Sequence, residues 1–171
     1  MIHLNIGSNL KSVYGNKLKN ILIAIDLLRN LNIKIKKISS FYKTPSYPNK
    51  NLPQFLNIGM IIETSYDCKS LLKQTSIIEK KIGRVKSYKN FPRVCDIDII
   101  DFNGLIQKQG NLKLPHPSCH TRNFVLYPIL EIDPTWIHPI LKKNVDFLIK
   151  DLGNNSRIEI TRMNKSVNIK R

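Results

Sequence analysis

The sequence predicts an α+β fold: an antiparallel sheet with two helices on one of its faces. Three observations carry this. Four separate stretches are strand-like, three by alternation or by runs of β-branched residues and one nearly continuously apolar. Two stretches between them place apolar residues at helical spacing. The chain has 171 residues, of which 42% are hydrophobic, enough to bury one real core.

The elements follow in order. Residues 2–7 (IHLNIG) alternate as a strand does, and SNLKSVYGN after them is a turn-rich loop. Leu18, Ile21, Leu22, Ile25 and Leu28 repeat at helical spacing, so 15–30 is an amphipathic helix. Residues 33–42 (IKIKKISSFY) form a second strand. TPSYPNKNLPQ carries three prolines and excludes regular structure. FLNIGMIIET, 55–64, is the third strand. Leu71, Leu72, Ile78 and Ile82 make 67–82 a helix, with Asp67 as N-cap and Gly83 where it stops. VCDIDII supplies the fourth strand. This β-α-β-β-α-β order is the ferredoxin-like unit. Beyond it, 105–113 reads as a hairpin turning near Gln109-Gly110, LPHPSCHTRN as a second proline loop, and FVLYPILEI as partly helical despite Pro128. Residues 141–150 suggest a short helix, and the tail 153–171 is polar and basic and carries no recognisable motif. Neither a repeat nor a linker divides the chain, so 1–171 reads as a single domain with C-terminal additions.

Composition narrows the function. The cysteines Cys68, Cys95 and Cys119 are odd in number and form no CxxC pair, which argues against disulfides and zinc knuckles and for a reducing cytoplasm. No signal-peptide pattern and no long apolar run occur, so no membrane association is expected. Net charge is +16, which invites a nucleic-acid partner. The excess is Lys, however, scattered along a chain also rich in Asn and Ile, as an A/T-rich genome would produce. No nucleic-acid partner is therefore expected.

The most informative segment is EKKIGRVKSYKNFPRVCDIDIID, 79–101. Four cations, Arg84, Lys86, Lys89 and Arg93, precede Asp96 and Asp98. Strand side chains alternate, so the two carboxylates share one face and Ile97 and Ile99 take the other. Two such carboxylates repel unless a cation sits between them. Mg²⁺ suits hard oxygen ligands and accompanies phosphates. The segment points to metal-assisted phosphoryl chemistry, and read alone it also fits a solvated basic loop beside a polar strand. No GxxxxGK[ST] is present, so side chains and metal would have to hold any nucleotide.

Six segments in order, NIGSNL (5–10), SSFYKTPSY (39–47), FLNIGMIIET (55–64), EKKIGRVK (79–86), PRVCDIDIID (92–101) and LPHPSCHTRNFVLYPILEI (114–132), resemble those of the 6-hydroxymethyl-7,8-dihydropterin pyrophosphokinase family. The resemblance implies transfer of pyrophosphate from ATP to the pterin hydroxymethyl group, release of AMP, and two Mg²⁺ ions. It implies that Asp96 and Asp98 hold metal and that Arg84 and Arg93 grip the α- and β-phosphates. Lys86, Ile99, His116 and Arg122 would contact ATP, Ile99 beside the adenine. Phe55 and Phe124 would sandwich the pterin, Asn57 would read its amide-like edge, and the loop of Thr44, Pro45 and Tyr47 would complete that recognition. Singly, each residue has a plainer reading as core aromatic, polar face residue or turn. Where the family often has Trp-Gly before Pro-Arg, this chain has Asn90-Phe91-Pro92-Arg93 and is one residue shorter. The expected molecule is a monomer whose partners are ATP and hydroxymethyldihydropterin. The rivals are another Mg²⁺-dependent transferase on this scaffold and an RNA-binding module. RNA readers of this shape display exposed aromatics on their central strands, and neither 2–7 nor 55–64 carries that motif.

Overall fold

The computed structural model describes residues 1–47, 49–85, 91–110 and 112–164. Strands β1 (Ile2–Ser8), β2 (Lys34–Ile38), β3 (Tyr42–Thr44), β4 (Phe55–Glu63) and β5 (Asp96–Phe102) alternate with helices α1 (Lys17–Arg29) and α2 (Cys68–Ile82). They build an antiparallel sheet ordered β5-β1-β4-β3, with β2 also paired to β4. The expected strand over 33–42 is thus two strands. The register slips between Ile35 and Lys37, and Ser39 turns inward to accept the Gly59 amide at 2.9 Å. That break lets the chain bend and start β3 further along β4.

Local chemistry fixes the helix ends. Asn16 accepts from Lys19 N at the start of α1, and Asp67 accepts from Ser70 N at the start of α2. Gly83 ends α2 at φ 106°, a left-handed conformation that favours glycine. Helices α1 and α2 cover one sheet face. There Ile2, Leu4 and Ile6 of β1, Leu56, Ile58, Met60 and Ile62 of β4, and Ile97 and Ile99 of β5 meet Ile21, Ile25, Leu28, Leu71, Ile78 and Ile82. The opposite face carries Asn5, Gly7, Asn57, Gly59, Asp96 and Asp98.

The rest of the chain covers part of that second face. A hairpin, β6 (Gln107–Gln109) and β7 (Leu112–Leu114), leads to a single 3-10 turn at Cys119–Thr121 and helix α3 (Asn123–Ile132). Helix α3 lies over β4, where Gly59 admits it: a Cβ on Gly59 would meet Pro128 Cβ at 2.6 Å. Helix α4 (Val145–Lys150) closes a second core of Ile100, Val125, Leu126, Ile129, Trp136 and Leu148. The polar, basic tail contains helix α5 (Asn154–Ile158) and strand β8 (Thr161–Arg162), which pairs with β3.

Candidate active site

Register assembles the site on the face that α3 leaves open. Asp96 stands opposite Gly7, Gly7 opposite Asn57, and Asn57 opposite Tyr42. One row of partners therefore runs across four strands from the acidic edge to β3. The next row sets Asp98 opposite Asn5 and Asn5 opposite Gly59.

At the acidic edge Asp96 is gripped from both sides. Arg84 Nη1 donates to its Oδ1 at 2.6 Å and Arg93 Nη1 to its Oδ2 at 2.8 Å. Arg84 also pairs with Glu79 of α2. Glu79 is buried and its Oε1 accepts the Ile97 amide of β5 at 2.7 Å, so one carboxylate fixes both the arginine and the strand. Burial pushes the Glu79 carboxyl above its ordinary range. Asp98 is raised further, first by burial and then by the charge of Asp96, with Arg122 acting against it. Arg122 Nη1 lies 3.6 Å from Asp98 Oδ2 and 3.5 Å from His116 Nε2. Burial and then Arg122 depress His116 to about 4, so the ring is neutral near pH 7. Its backbone amide donates to Ile100 O at 2.8 Å, which ties the proline loop to β5.

The donor set fits a hard divalent cation. Asp96 and Asp98 present carboxylate oxygens on one face, and their mutual repulsion is what such an ion relieves. A second cluster, Cys119, His120 and His138, brings three ligand-type atoms within 4.8 Å. There His138 Nδ1 already accepts the amides of Ile140 and Leu141 at 3.2 Å each, so its ring serves the backbone turn.

At the other end Asn57 Nδ2 donates to Thr44 Oγ1 at 3.2 Å, with Phe55 beside it opposite Thr44. Phe124 lies in the first turn of α3 with the Arg122 guanidinium 5.5 Å over its ring. Its position has a local cause. Pro128 lacks the N–H that would bond the Phe124 carbonyl within the helix. Asn5, its amide nitrogen turned to the two carbonyls it faces, donates to Phe124 O at 2.9 Å and Ile58 O at 3.1 Å. Ser46 is buried next to Pro45, whereas the Tyr47 side chain is 80% exposed, so any enclosing contact from this loop falls to its backbone.

The Ile99 side chain packs into the core on the helical face, because alternation from Asp96 and Asp98 turns it inward and the bulge in the β1–β5 pairing comes only after it. Contact with a base from this position falls to its backbone. Lys86, like Lys89, lies outside the described residues.

Asn9 was not among the expected site residues, yet it joins both loops. Buried at 3% exposure, it accepts the Arg93 amide at 2.6 Å and donates to Ser46 Oγ at 3.2 Å and Pro53 O at 3.1 Å. Its own amide donates to Arg93 O at 3.1 Å. The only sequence signal was its place in NIGSNL, where Gly7-Ser8-Asn9 is too short to cradle a phosphate.

The model of the 7,8-dihydro-6-hydroxymethylpterin-pyrophosphokinase (HPPK) family matches residues 3–134. The chain is 37% identical over 142 residues to the 2-amino-4-hydroxy-6-hydroxymethyldihydropteridine pyrophosphokinase of Aquifex aeolicus, covering 83% of this chain and 86% of that one. It is 36% identical over 158 residues to the folic acid synthesis protein FOL1 of Dictyostelium discoideum, covering 92% of this chain but 23% of that longer protein. The fold resembles that of wild-type Plasmodium falciparum HPPK-DHPS solved with pteroate, at TM-score 0.71 and 17% identity, covering 94% of this chain and 45% of that one.

Proposed function

The chain belongs to the HPPK family and is an ATP-dependent pyrophosphokinase of folate synthesis, and we propose that the open sheet face between β5 and β3 is its catalytic site. The observation that carries this is the row of cross-strand partners. It puts Asp96, Gly7 and Asn57 in line across β5, β1 and β4, which supports a carboxylate edge and a pterin slot on one sheet face. The strand order, with β2 and β3 both paired to β4 on the side away from β1, also supports the ferredoxin-like reading of the core.

In this reading the pterin lies between Phe55 and Phe124, and Asn57 reads its edge with both donor and acceptor. Arg84 and Arg93 turn from Asp96 to the α- and β-phosphates, where a guanidinium fork matches phosphate oxygens. Glu79 and Asn9 hold those two arginines in reach: Glu79 by its ion pair with Arg84, Asn9 by its bonds to the Arg93 backbone. Asp96 and Asp98 would hold Mg²⁺, two ions by the family resemblance, which when bound supplies charge neutralisation at the transferring phosphoryl oxygens. The pterin hydroxyl oxygen attacks the β-phosphorus and gives up its proton to solvent, the bond from that phosphorus to the α-phosphate oxygen breaks, and AMP leaves. The chain contributes positioning and preorganised positive charge. His116, neutral, donates a hydrogen bond to a triphosphate oxygen through Nε2, since its Nδ1 accepts the Ser118 amide, and adds no charge. Arg122 stands between Asp98 and Phe124 and so between the two substrates.

The test is stoichiometric. Incubation with ATP, Mg²⁺ and hydroxymethyldihydropterin should yield AMP and pterin diphosphate in equal amounts, with no AMP when the pterin is omitted. AMP at the same rate without pterin, or tight single-stranded RNA binding with no turnover, contradicts the proposal.

A further inference from the structure

The C-terminal segment touches both walls of the pterin slot. On one side Asn123, the residue before Phe124, donates through Nδ2 to Ser156 O at 2.6 Å. On the other, β8 pairs with β3, Tyr42 opposite Arg162 and Lys43 opposite Thr161, and Met163 N donates to Phe41 O at 2.8 Å. Strand β3 continues directly into Thr44 and the 45–54 loop, and that loop's Lys50 pairs with Glu159.

A polar knot closes the join. Glu131 of α3 accepts Ser40 N at 3.0 Å, Ser40 Oγ at 2.8 Å and Tyr42 OH at 2.7 Å. Arg162 adds Nη2 to Glu131 Oε1 and Nε to Ser40 Oγ, both at 3.0 Å. The Arg162 side chain is 63% exposed, so the ion pair alone is weak. Its value lies in joining the β8 ladder, the start of β3 and the end of α3 at one point.

We propose that residues 156–163 form a positioning strap that fixes the separation between Phe124 on α3 and the Thr44–Asn57–Phe55 wall, with Arg162 as its fastening residue. The proposal rests on the reading of that slot given above. Among the described residues, the bonds that hold Arg84, Arg93, Asp96 and Asp98 come from α2, β5 and Asn9 and not from the strap. Its effect therefore falls first on one substrate.

Arg162→Ala and Met163→Pro, which removes the amide donated to Phe41, are each assayed in the full chain with both substrates varied. The KM for hydroxymethyldihydropterin should rise about five- to tenfold, the low end of ordinary coupling between sites. The KM for ATP and kcat should stay within about twofold, and Arg162→Lys should recover part of the loss. An unchanged pterin KM, equal rises in both KM values, or a lowered melting temperature as the only effect overturns the strap. Absence of pterin-dependent turnover in the unmodified chain removes the functional reading and the strap with it. Normal turnover with an unmoved pterin KM removes the strap alone.

Discussion

Gly7 decides where Asn57 can lie. A Cβ there would meet Asn57 Oδ1 at 2.7 Å and Phe55 Cδ1 at 3.6 Å. Gly7→Ala should push Asn57 off its place and cost one or two hydrogen bonds to the pterin, each worth about 1–3 kcal/mol when a buried partner is left unpaired. The expected result is a pterin KM raised by about tenfold or more with the ATP KM unchanged, and equal KM values for both substrates before and after substitution would contradict it. Arg93 makes the opposite case. Arg93→Ala removes a preorganised charge contact and should lower kcat by about 10² or more with pterin affinity little altered. Weakened pterin binding at an unaltered rate would place Arg93 in the wrong subsite. Alternation within DIDII set the carboxylates on one face and Ile99 on the other from sequence alone. Asn9 stayed hidden because its bonds to Arg93, Ser46 and Pro53 cross 84, 37 and 44 residues of chain.

At the scale of elements, helix α3 is the piece whose seat was least visible. Its apolar pattern and internal proline were legible, but not the fit of Pro128 against Gly59 that presses it onto β4, nor the carbonyl that Pro128 frees for Asn5. Both depend on backbone approach, which a hydrophobic pattern does not encode. Gly59→Ala should destabilise the fold by about 1–3 kcal/mol through overpacking, measured as a shift in urea midpoint at constant m-value. An unshifted midpoint would mean that α3 does not rest on Gly59. The tail escaped for a similar reason: β8 is two residues long and exists by pairing with β3, whereas Asp67 and Gly83, local signals, marked the ends of α2 directly.

For the whole molecule, acidification acts on the buried imidazoles of His3 and His138 and the half-buried one of His116. His3, His116 and His138 all lie below their ordinary value, with burial the first cause in each. A base whose folded pKa is lowered is protonated first in the unfolded chain, so its contribution to stability is lost as pH falls below about 6.5. Asp98 and Glu79, raised by burial, act in the opposite sense, so a difference is the cleaner reading. Stability of His116→Gln relative to the parent should rise as pH drops from 6.5 toward 4. A difference independent of pH would show that His116 is not held neutral by its surroundings.

The division of one sheet face into a phosphate-handling edge and a pterin slot is tested most directly by comparing Asp98→Asn with Asn57→Ala. The measurement is single-turnover AMP formation together with pterin affinity by fluorescence titration. Asp98→Asn should reduce the rate of AMP formation by at least about 10² while pterin affinity, measured without ATP, stays close to the parent's. Asn57→Ala should weaken pterin affinity by about tenfold or more and leave the rate at saturating pterin within a few-fold. Loss of both properties in both variants, or an exchange of the two patterns, would contradict the account.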